Sequence, residues 1–361
     1  MTKALLIAAL ALVSTNAFAS KARKAAISNS VTAATDVQDV WSNAAKIHGF
    51  GDLMTFEFGA TPTDITAGTW ENQAIPEGGI FKSQGDSKWG FYVGHRSTAL
   101  DLAKYVTGMT LTTTAYTPMA FFYGKKSGDM SWAAGFSYYS AKKTVGTAET
   151  KNDGMGLRLG ATTDKWEAYA NLGLSAKETV STTDEFKGNA SFQIGGQYDL
   201  GDMLVYLETL SASGTRTVSS TDVKGTFTQT YVGLERKLKS EGSHVFYGAK
   251  YYMSKLNNDQ TGASETVVES TTLPLYFGFE ADVASWLAFR GEVSKAFFVD
   301  TAKNKTGGTE TKNEGMGGAT VSFGSSFKFA KSTLDWKASW AGNGNLTAAG
   351  FGTNASYTYN F

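Results

Sequence analysis

The chain has 361 residues and carries 33 Lys and Arg against 33 Asp and Glu, so its formal net charge is zero and nucleic acid is not an expected partner. It contains no Cys, which excludes disulfides and thiolate metal sites. Only 4 Pro stand beside 40 Gly, 23 Phe and 16 Tyr, and the length allows one large domain or two smaller ones.

Residues 1–19 hold one early charge, Lys3, then an apolar run over 4–13 and the small-x-small sequence Ala17-Phe18-Ala19. This is the pattern of a secretory signal peptide cut after Ala19, leaving Ser20 first. The bland alternative is a buried helix; the run is too short to span a bilayer. No Cys follows the cut, so a lipoprotein is not expected, and no later run of apolar residues is long enough for a transmembrane helix. Residues 20–34 read as a polar, mobile leader. Over 36–48, Val37, Val40, Trp41, Ala44 and Ile47 share one helical face, Thr35 and Gln38 suggest a capping box, and Gly49 a stop. The spacing predicts one short amphipathic helix. Its first expected place is at the mouth of the fold that follows, its second a plug inside that fold.

From Leu53 the period changes to two: Met54, Phe56 and Phe58 face one way, Thr55, Glu57 and Gly59 the other. Strands are predicted at 53–60, 77–84, 88–97, 117–125, 130–142, 153–163, 165–177, 186–198, 202–213, 225–236, 243–255, 270–281, 285–298, 315–328, 332–342 and 353–361. A strand at 104–113 in place of 77–84 is the alternative. Sixteen is even, as a barrel with both ends on one side requires. Short turns alternate with long polar loops, predicted at 61–76, 97–116, 144–152, 178–185, 214–224, 256–269, 299–314 and 342–352. This is the layout of a transmembrane barrel. ETKNDGMG at 149–156 recurs as ETKNEGMG at 310–317, at the start of predicted strands six and fourteen. A solvated loop charge is the plain reading of Asp153 and Glu314 there.

The two faces of each strand differ in chemistry. In 165–177, Trp166, Ala168, Ala170, Leu172, Leu174 and Ala176 oppose Glu167, Tyr169, Asn171, Gly173 and Ser175. In 332–342, Leu334, Trp336, Ala338 and Trp340 oppose Asp335, Lys337 and Ser339. An Arg or Lys facing hydrocarbon at mid-bilayer costs ~2–4 kcal/mol, so the charged face must point inward. The expected lumen residues are Glu57, Arg96, Arg158, Glu167, Glu208, Glu235, Lys250, Glu280, Arg290, Glu292, Asp335 and Lys337. Acids and bases on opposite walls would set a transverse field; pairing between them would stiffen the wall, and pairing is the first expectation. Sixteen strands leave room for an aqueous channel. The loop 97–116, with Asp101, Lys104 and Tyr105, is the candidate constriction. His48, His95 and His244 form no evident catalytic constellation, no phosphate-binding Gly loop is present, and neither enzyme activity nor a cofactor or metal is expected. Trp132, Trp166, Trp286, Trp336 and Trp340 read as an interface girdle.

The last strand alternates Ala355, Tyr357, Tyr359 and Phe361 with Asn354, Ser356, Thr358 and Asn360. With the cleavable signal, the alternating strands and the ending YTYNF, the chain resembles porin-like outer-membrane β-barrels of Gram-negative bacteria, and more weakly the major outer-membrane proteins of predatory deltaproteobacteria. The resemblance implies an all-β fold, a single antiparallel up-and-down transmembrane barrel over 53–361, preceded by the signal (1–19) and the leader with its helix (20–52). It implies an outer-membrane location among lipid and lipopolysaccharide, with Tyr357, Tyr359 and Phe361 as the signal read by the barrel assembly machinery. It also implies a homotrimer as one assembly. The functional expectation is passive diffusion of small hydrophilic solutes and ions through a polar lumen. The alternatives are a plugged importer of hydrophobic compounds and a structural or adhesive barrel.

Overall fold

Period-two alternation turns into strands throughout the computed structural model, which describes residues 21–31, 36–59, 76–95, 107, 117–145, 148–181, 183–260, 265–315, 318–342 and 351–361. In chain order these are β1 (Leu53–Gly59), β2 (Glu77–Gln84), β3 (Ser87–Val93), β4 (Met119–Ser127), β5 (Met130–Val145), β6 (Ala148–Thr162) and β7 (Trp166–Ser181). Next come β8 (in two segments, Asp184–Gly188 and Ser191–Asp199), β9 (Met203–Val218), β10 (Thr221–Ser240), β11 (Ser243–Gln260) and β12 (Thr266–Ala284). The chain finishes with β13 (Leu287–Thr306), β14 (Thr309–Glu314 and Ala319–Phe329), β15 (Ser332–Gly342) and β16 (Phe351–Asn360). Both segments of β8 lie between β7 and β9, and both segments of β14 pair with β13, so the 18 hydrogen-bonded segments make sixteen strands. Each strand runs antiparallel to the next, and β16 returns to β1, from Leu53↔Asn360 to Gly59↔Asn354. The chain is a closed sixteen-stranded β-barrel, its last strand hydrogen-bonded to its first.

The outer face is apolar in the way a bilayer demands. Phe56, Phe58, Phe121, Leu207, Phe277 and Leu334 are among the many large apolar side chains left exposed. Along β16, Ala355 and Tyr357 are exposed while Asn354, Ser356, Thr358 and Asn360 are buried inside. The expected split of that strand therefore holds. A soluble fold would bury such a belt; a transmembrane barrel presents it to hydrocarbon.

Three expectations need correcting. Most of the long loops are largely strand. β9 and β10 pair down to Val218↔Thr221, and β13 and β14 to Thr306↔Thr309. β10 and β13 have 20 residues each, about twice the 9–11 that cross a bilayer. The surplus is Thr-rich and polar, yet it keeps period two, so it extends the ladder as a hairpin beyond the apolar belt. Second, the apolar face of β7 is broken. The β6–β7 register shifts between Met155↔Ser175 and Gly156↔Gly173, so Leu174 is an extra residue. A bulge reverses the facing of everything beyond it: Ala176 is buried where an outward residue was expected, and Glu178, expected in a loop, is buried with it. The candidate strand at 104–113 lies outside the described residues except for Thr107, and β2 stands where it was expected.

The third correction is the N-terminal segment. Residues 21–26 form a short helix, α1 (Lys21–Ala26), where a mobile leader was expected. The helix expected over 36–48 is two 3-10 turns, Val37–Trp41 and Ala44–Gly49. The capping box is made one residue later than predicted: Asp36 accepts from Gln38 N, and the Asp39 carboxylate takes the Asp36 N–H at 2.8 Å. Asn43 then starts a new turn with extended φ and ψ of −123° and 106° and accepts from Ala45 N, which ends the first turn before an α-helix can form. The predicted face is nonetheless the buried one: Val37, Val40, Ala44 and Ile47 are fully inaccessible. What they are buried against is the inside of the barrel.

Candidate functional site

Residues 21–31 and 36–50 occupy the lumen. Their apolar face docks on one sector of the inner wall, where Val37, Val40, Ala44, Ala45, Ile47 and Phe50 form one cluster with Leu53, Phe81, Tyr92, Ala120, Phe122 and Ala133. The lumen is therefore not uniformly polar, as had been expected: β1 to β5 offer it an apolar floor. Trp41 joins this cluster from the segment. Its ring stacks on His95 at 3.7 Å and 5°, with Tyr92 and Phe122 edge-on at 5.2 and 5.3 Å, and the Arg158 guanidinium 4.9 Å from its centroid. Arg158 also donates to the Trp41 carbonyl and to Ser137 Oγ.

The polar face of the same segment holds acids of the wall, like spokes. Lys21 N donates to both oxygens of Glu57, at 3.0 and 3.1 Å, while Lys21 Nζ pairs with Glu77 at 2.6 Å. Glu57 and Glu77 face each other across β1 and β2, so one residue relieves two adjacent like charges. Arg23 forks onto Glu280 at 2.7 and 2.8 Å, the geometry in which guanidinium is strongest. Asn29 donates to Glu292 from its backbone and, at 2.6 Å, from its amide. Ser30 Oγ and Val31 N donate to Glu235 at 2.9 and 3.0 Å, and Lys46 pairs with Glu167 at 2.5 Å. These six carboxylates come from β1, β2, β7, β10, β12 and β13, so the segment is tied around much of the circumference.

Of the expected lumen residues, Glu57, Arg158, Glu167, Glu208, Glu235, Lys250, Glu280, Arg290, Glu292, Asp335 and Lys337 all face inward and are buried or half-buried. Arg96 lies outside the described residues, as do the candidate constriction residues Asp101, Lys104 and Tyr105. The expectation that most of these acids and bases pair with one another on the wall is not met: the wall acids bind chiefly the N-terminal segment. Among the described residues of that expected set, those that pair with one another are Arg290 with Asp335 at 3.2 Å and with Glu280 at 3.4 Å.

The segment does not fill the bore evenly. Opposite its apolar floor, between it and β7 to β11, lies a cavity of about 200 Å³ that opens to solvent. Its border is polar: Lys24, Asp39 and Lys46 from the segment, and Glu167, Tyr169, Glu208, Tyr231 and Lys250 from the wall. Lys24 pairs with Asp39 at 2.7 Å, and Tyr169 donates to Glu208 at 2.5 Å. Farther along the same strands the inner wall turns apolar again, with Ala176, Phe186 and Ala212 in one cluster and Leu210, Phe227 and Leu256 in another.

No protein-family model matches the chain, and no curated protein matches it in sequence. Solved structures that resemble it include a bacterial polysaccharide outer membrane secretin, at 8% identity and TM-score 0.48 over 86% of this chain and 98% of that one. The CymD monoaromatic hydrocarbon channel is similar at 13% identity and TM-score 0.40, over 90% of this chain and 92% of that one. The Pseudomonas putida toluene transporter TodX is similar at 10% identity and TM-score 0.38, over 90% and 94%. At these identities the likeness goes no further than the barrel.

Sequence reasoning missed the cations of the segment, Lys21, Arg23, Lys24 and Lys46. A signal was present. The expected lumen set holds more acids than bases, and the residues after the predicted cut, SKARKAA, are basic. It also missed Lys88, an inward residue whose Nζ donates to the carbonyls of Phe50, in a very short contact, and of Gly51, at 2.7 Å. The alternation of Lys88 and Tyr92 against Trp89 and Phe91 marked it.

Two histidines have become structural. Burial pushes the His95 imidazole below its ordinary value, although Glu77 lies 3.3 Å away. Burial, helped by the charges of Lys126 and Lys88, lowers His48 to about 4. Asp36 moves the other way, raised to about 7 by burial and by its neighbour Asp39.

Proposed function

We propose that this protein is an outer-membrane channel for small hydrophilic solutes and ions, in which the N-terminal segment narrows the lumen to a polar passage on one side. The observation that carries the reading is the border of the remaining cavity. Its lysines, carboxylates and tyrosine hydroxyls suit water and polar solutes and reject apolar ones. Enzyme activity has no part in it. On this reading residues 1–19 are removed after Ala19. The assembly machinery reads Tyr357, Tyr359 and Phe361, and the barrel sits among lipid and lipopolysaccharide. A homotrimer is the proposed assembly.

The test is single-channel conductance in a planar bilayer. The full mature chain should pass a small current, and removal of residues 21–50 should raise it several-fold. No current from either form would end the channel reading and leave a structural barrel.

A second reading, import of apolar compounds past the plug, is favoured by the inner clusters around Phe186 and Phe227. It requires uptake of an apolar probe by vesicles containing the protein, and abolition of that uptake by Phe227→Asn.

A further inference from the structure

We propose that the cavity beside the N-terminal segment is a binding site for a small solute bearing one carboxylate, and that Lys250 is the group that takes the carboxylate. The proposal deepens the channel reading by naming the class of solute, but the site is defined by its own geometry.

Lys250 lies on β11 with its ammonium 3.8 Å from the centroid of the Tyr231 ring, at the border of the cavity. The two other lysines of that border are paired, Lys24 with Asp39 and Lys46 with Glu167. Among the described residues, Lys250 forms no ion pair. Glu208, the remaining acid of the border, is engaged by the Tyr169 hydroxyl. A ring face compensates a half-buried ammonium only in part, worth about 0.5–2 kcal/mol, and an unpaired charge taken from water keeps most of its desolvation cost. Glu208 and Glu292 act on Lys250 only through space, so an anion entering the cavity meets an ammonium that, among the described residues, has no carboxylate in contact with it. Ser28 and Gln197 also line the space and offer a hydroxyl and an amide to polar groups on the solute. The cavity, about 200 Å³ and open to solvent, admits only a small solute. The number of charges sets the class. Any anion here also faces Asp39, Glu167 and Glu208, so a monocarboxylate accepts from the ammonium with less repulsion than a phosphate dianion would meet.

The experiment is isothermal titration of the full-length protein in detergent micelles with sodium gluconate, a monocarboxylate. Sorbitol serves as its neutral counterpart and sodium phosphate as the dianion. Gluconate should bind saturably, sorbitol should give no saturable heat, and phosphate should bind more weakly than gluconate. Lys250→Met should weaken gluconate at least tenfold, and Lys250→Arg should stay within a few-fold of the native chain. Lys255→Gln, on the same strand but paired with Glu269 at 3.0 Å, should leave it unchanged. Heat-modifiable migration on a gel reports that each variant is folded, and if Lys250→Met does not fold, Lys250→Gln takes its place. Native-like affinity in the Met or Gln variant overturns the proposal, as does an absence of saturable gluconate binding. Phosphate binding tighter than gluconate overturns the class of ligand. Because the measurement needs no current, its failure is distinct from failure of the channel reading.

Discussion

Gly160 shows how closely the N-terminal segment approaches the wall. It faces inward on β6, and a Cβ there would run into Asn43 Oδ1 and come within 2.8 Å of the Ala45 backbone nitrogen. Gly160→Leu should therefore expel the second 3-10 turn while leaving the outer face untouched. Overpacking of this kind costs about 1–3 kcal/mol, and the expected result is faster proteolysis of residues 21–50 with a higher conductance. The ion pairs make a graded set. Arg23→Ala leaves Glu280 beside Arg290 at 3.4 Å and His244 at 3.7 Å, whereas Lys46→Ala leaves Glu167 with the Asn43 amide at 3.3 Å and, among the described residues, no cation. Removing one partner of a buried pair costs up to about 3–5 kcal/mol when the other charge is stranded. Lys46→Ala should accordingly loosen the segment more than Arg23→Ala, as read by hydrogen exchange of residues 37–49.

Two titrations in the segment have opposite signs. His48 is lowered to about 4, so its contribution to docking is complete above the ordinary imidazole value and is lost as pH falls toward 4. Asp36 is raised to about 7, so its contribution is complete below the ordinary carboxylate value and is lost as pH rises through 7. Asp36→Asn keeps an acceptor for Gln38 N but carries no charge to bury. It should tighten docking at pH 8 and change little at pH 4. His48→Gln should remove the loosening between pH 6.5 and 4. Protease resistance of residues 21–50 across this range separates the two.

At the scale of the element, a strand keeps its inside and outside only while its register is unbroken. The bulge at Leu174 turns β7 over, which places Ala176 inside with Phe186 and Ala212. The hairpins that extend beyond the apolar belt depend on their turns instead. Ser219 and Ser220 both have positive φ, 47° and 71°, in the two-residue connection between β9 and β10. That is the turn in which Asn-Gly is strongly preferred. Replacing Ser219-Ser220 by Asn-Gly should stabilise the hairpin by about 0.5–1 kcal/mol, visible as slower amide exchange in Gly214–Val218 paired with Thr221–Gly225.

For the whole molecule, closure and occupancy are separate matters. Closure follows from fifteen ladders between successive strands and the pairing of β16 with β1, and it gathers Glu57, Glu235, Glu280, Arg290 and Asp335 inside one cylinder. Occupancy follows from the fit of one segment to that interior, apolar against β1 to β5 and charged against acids from six strands. The two should respond differently to perturbation. Full-length protein and a form lacking residues 21–50 should both run as folded, heat-modifiable barrels, but the shorter form should be the less stable to heat, because the buried carboxylates of Glu167 and Glu292 lose the donors that the segment gives them.

The fold was legible because its rule is local. With lipid outside and water or polar groups inside, each residue's side depends on its parity along a strand, so Glu57, Glu235 and Asp335 could be placed from their neighbours alone. The same rule failed at Leu174, where a single extra residue changes the parity and nothing in the local pattern announces it. It also fell silent at residues 21–50, which have no strand parity to read. Whether that segment rests at the mouth or enters the bore depends on contacts such as Arg23 with Glu280, 257 residues apart in the chain. Local chemistry thus determined that this protein is a sixteen-stranded barrel with an acid-rich interior. Only the assembled cylinder decided that its own basic N-terminus neutralises that interior, because the matching charges meet only after distant strands have closed around them.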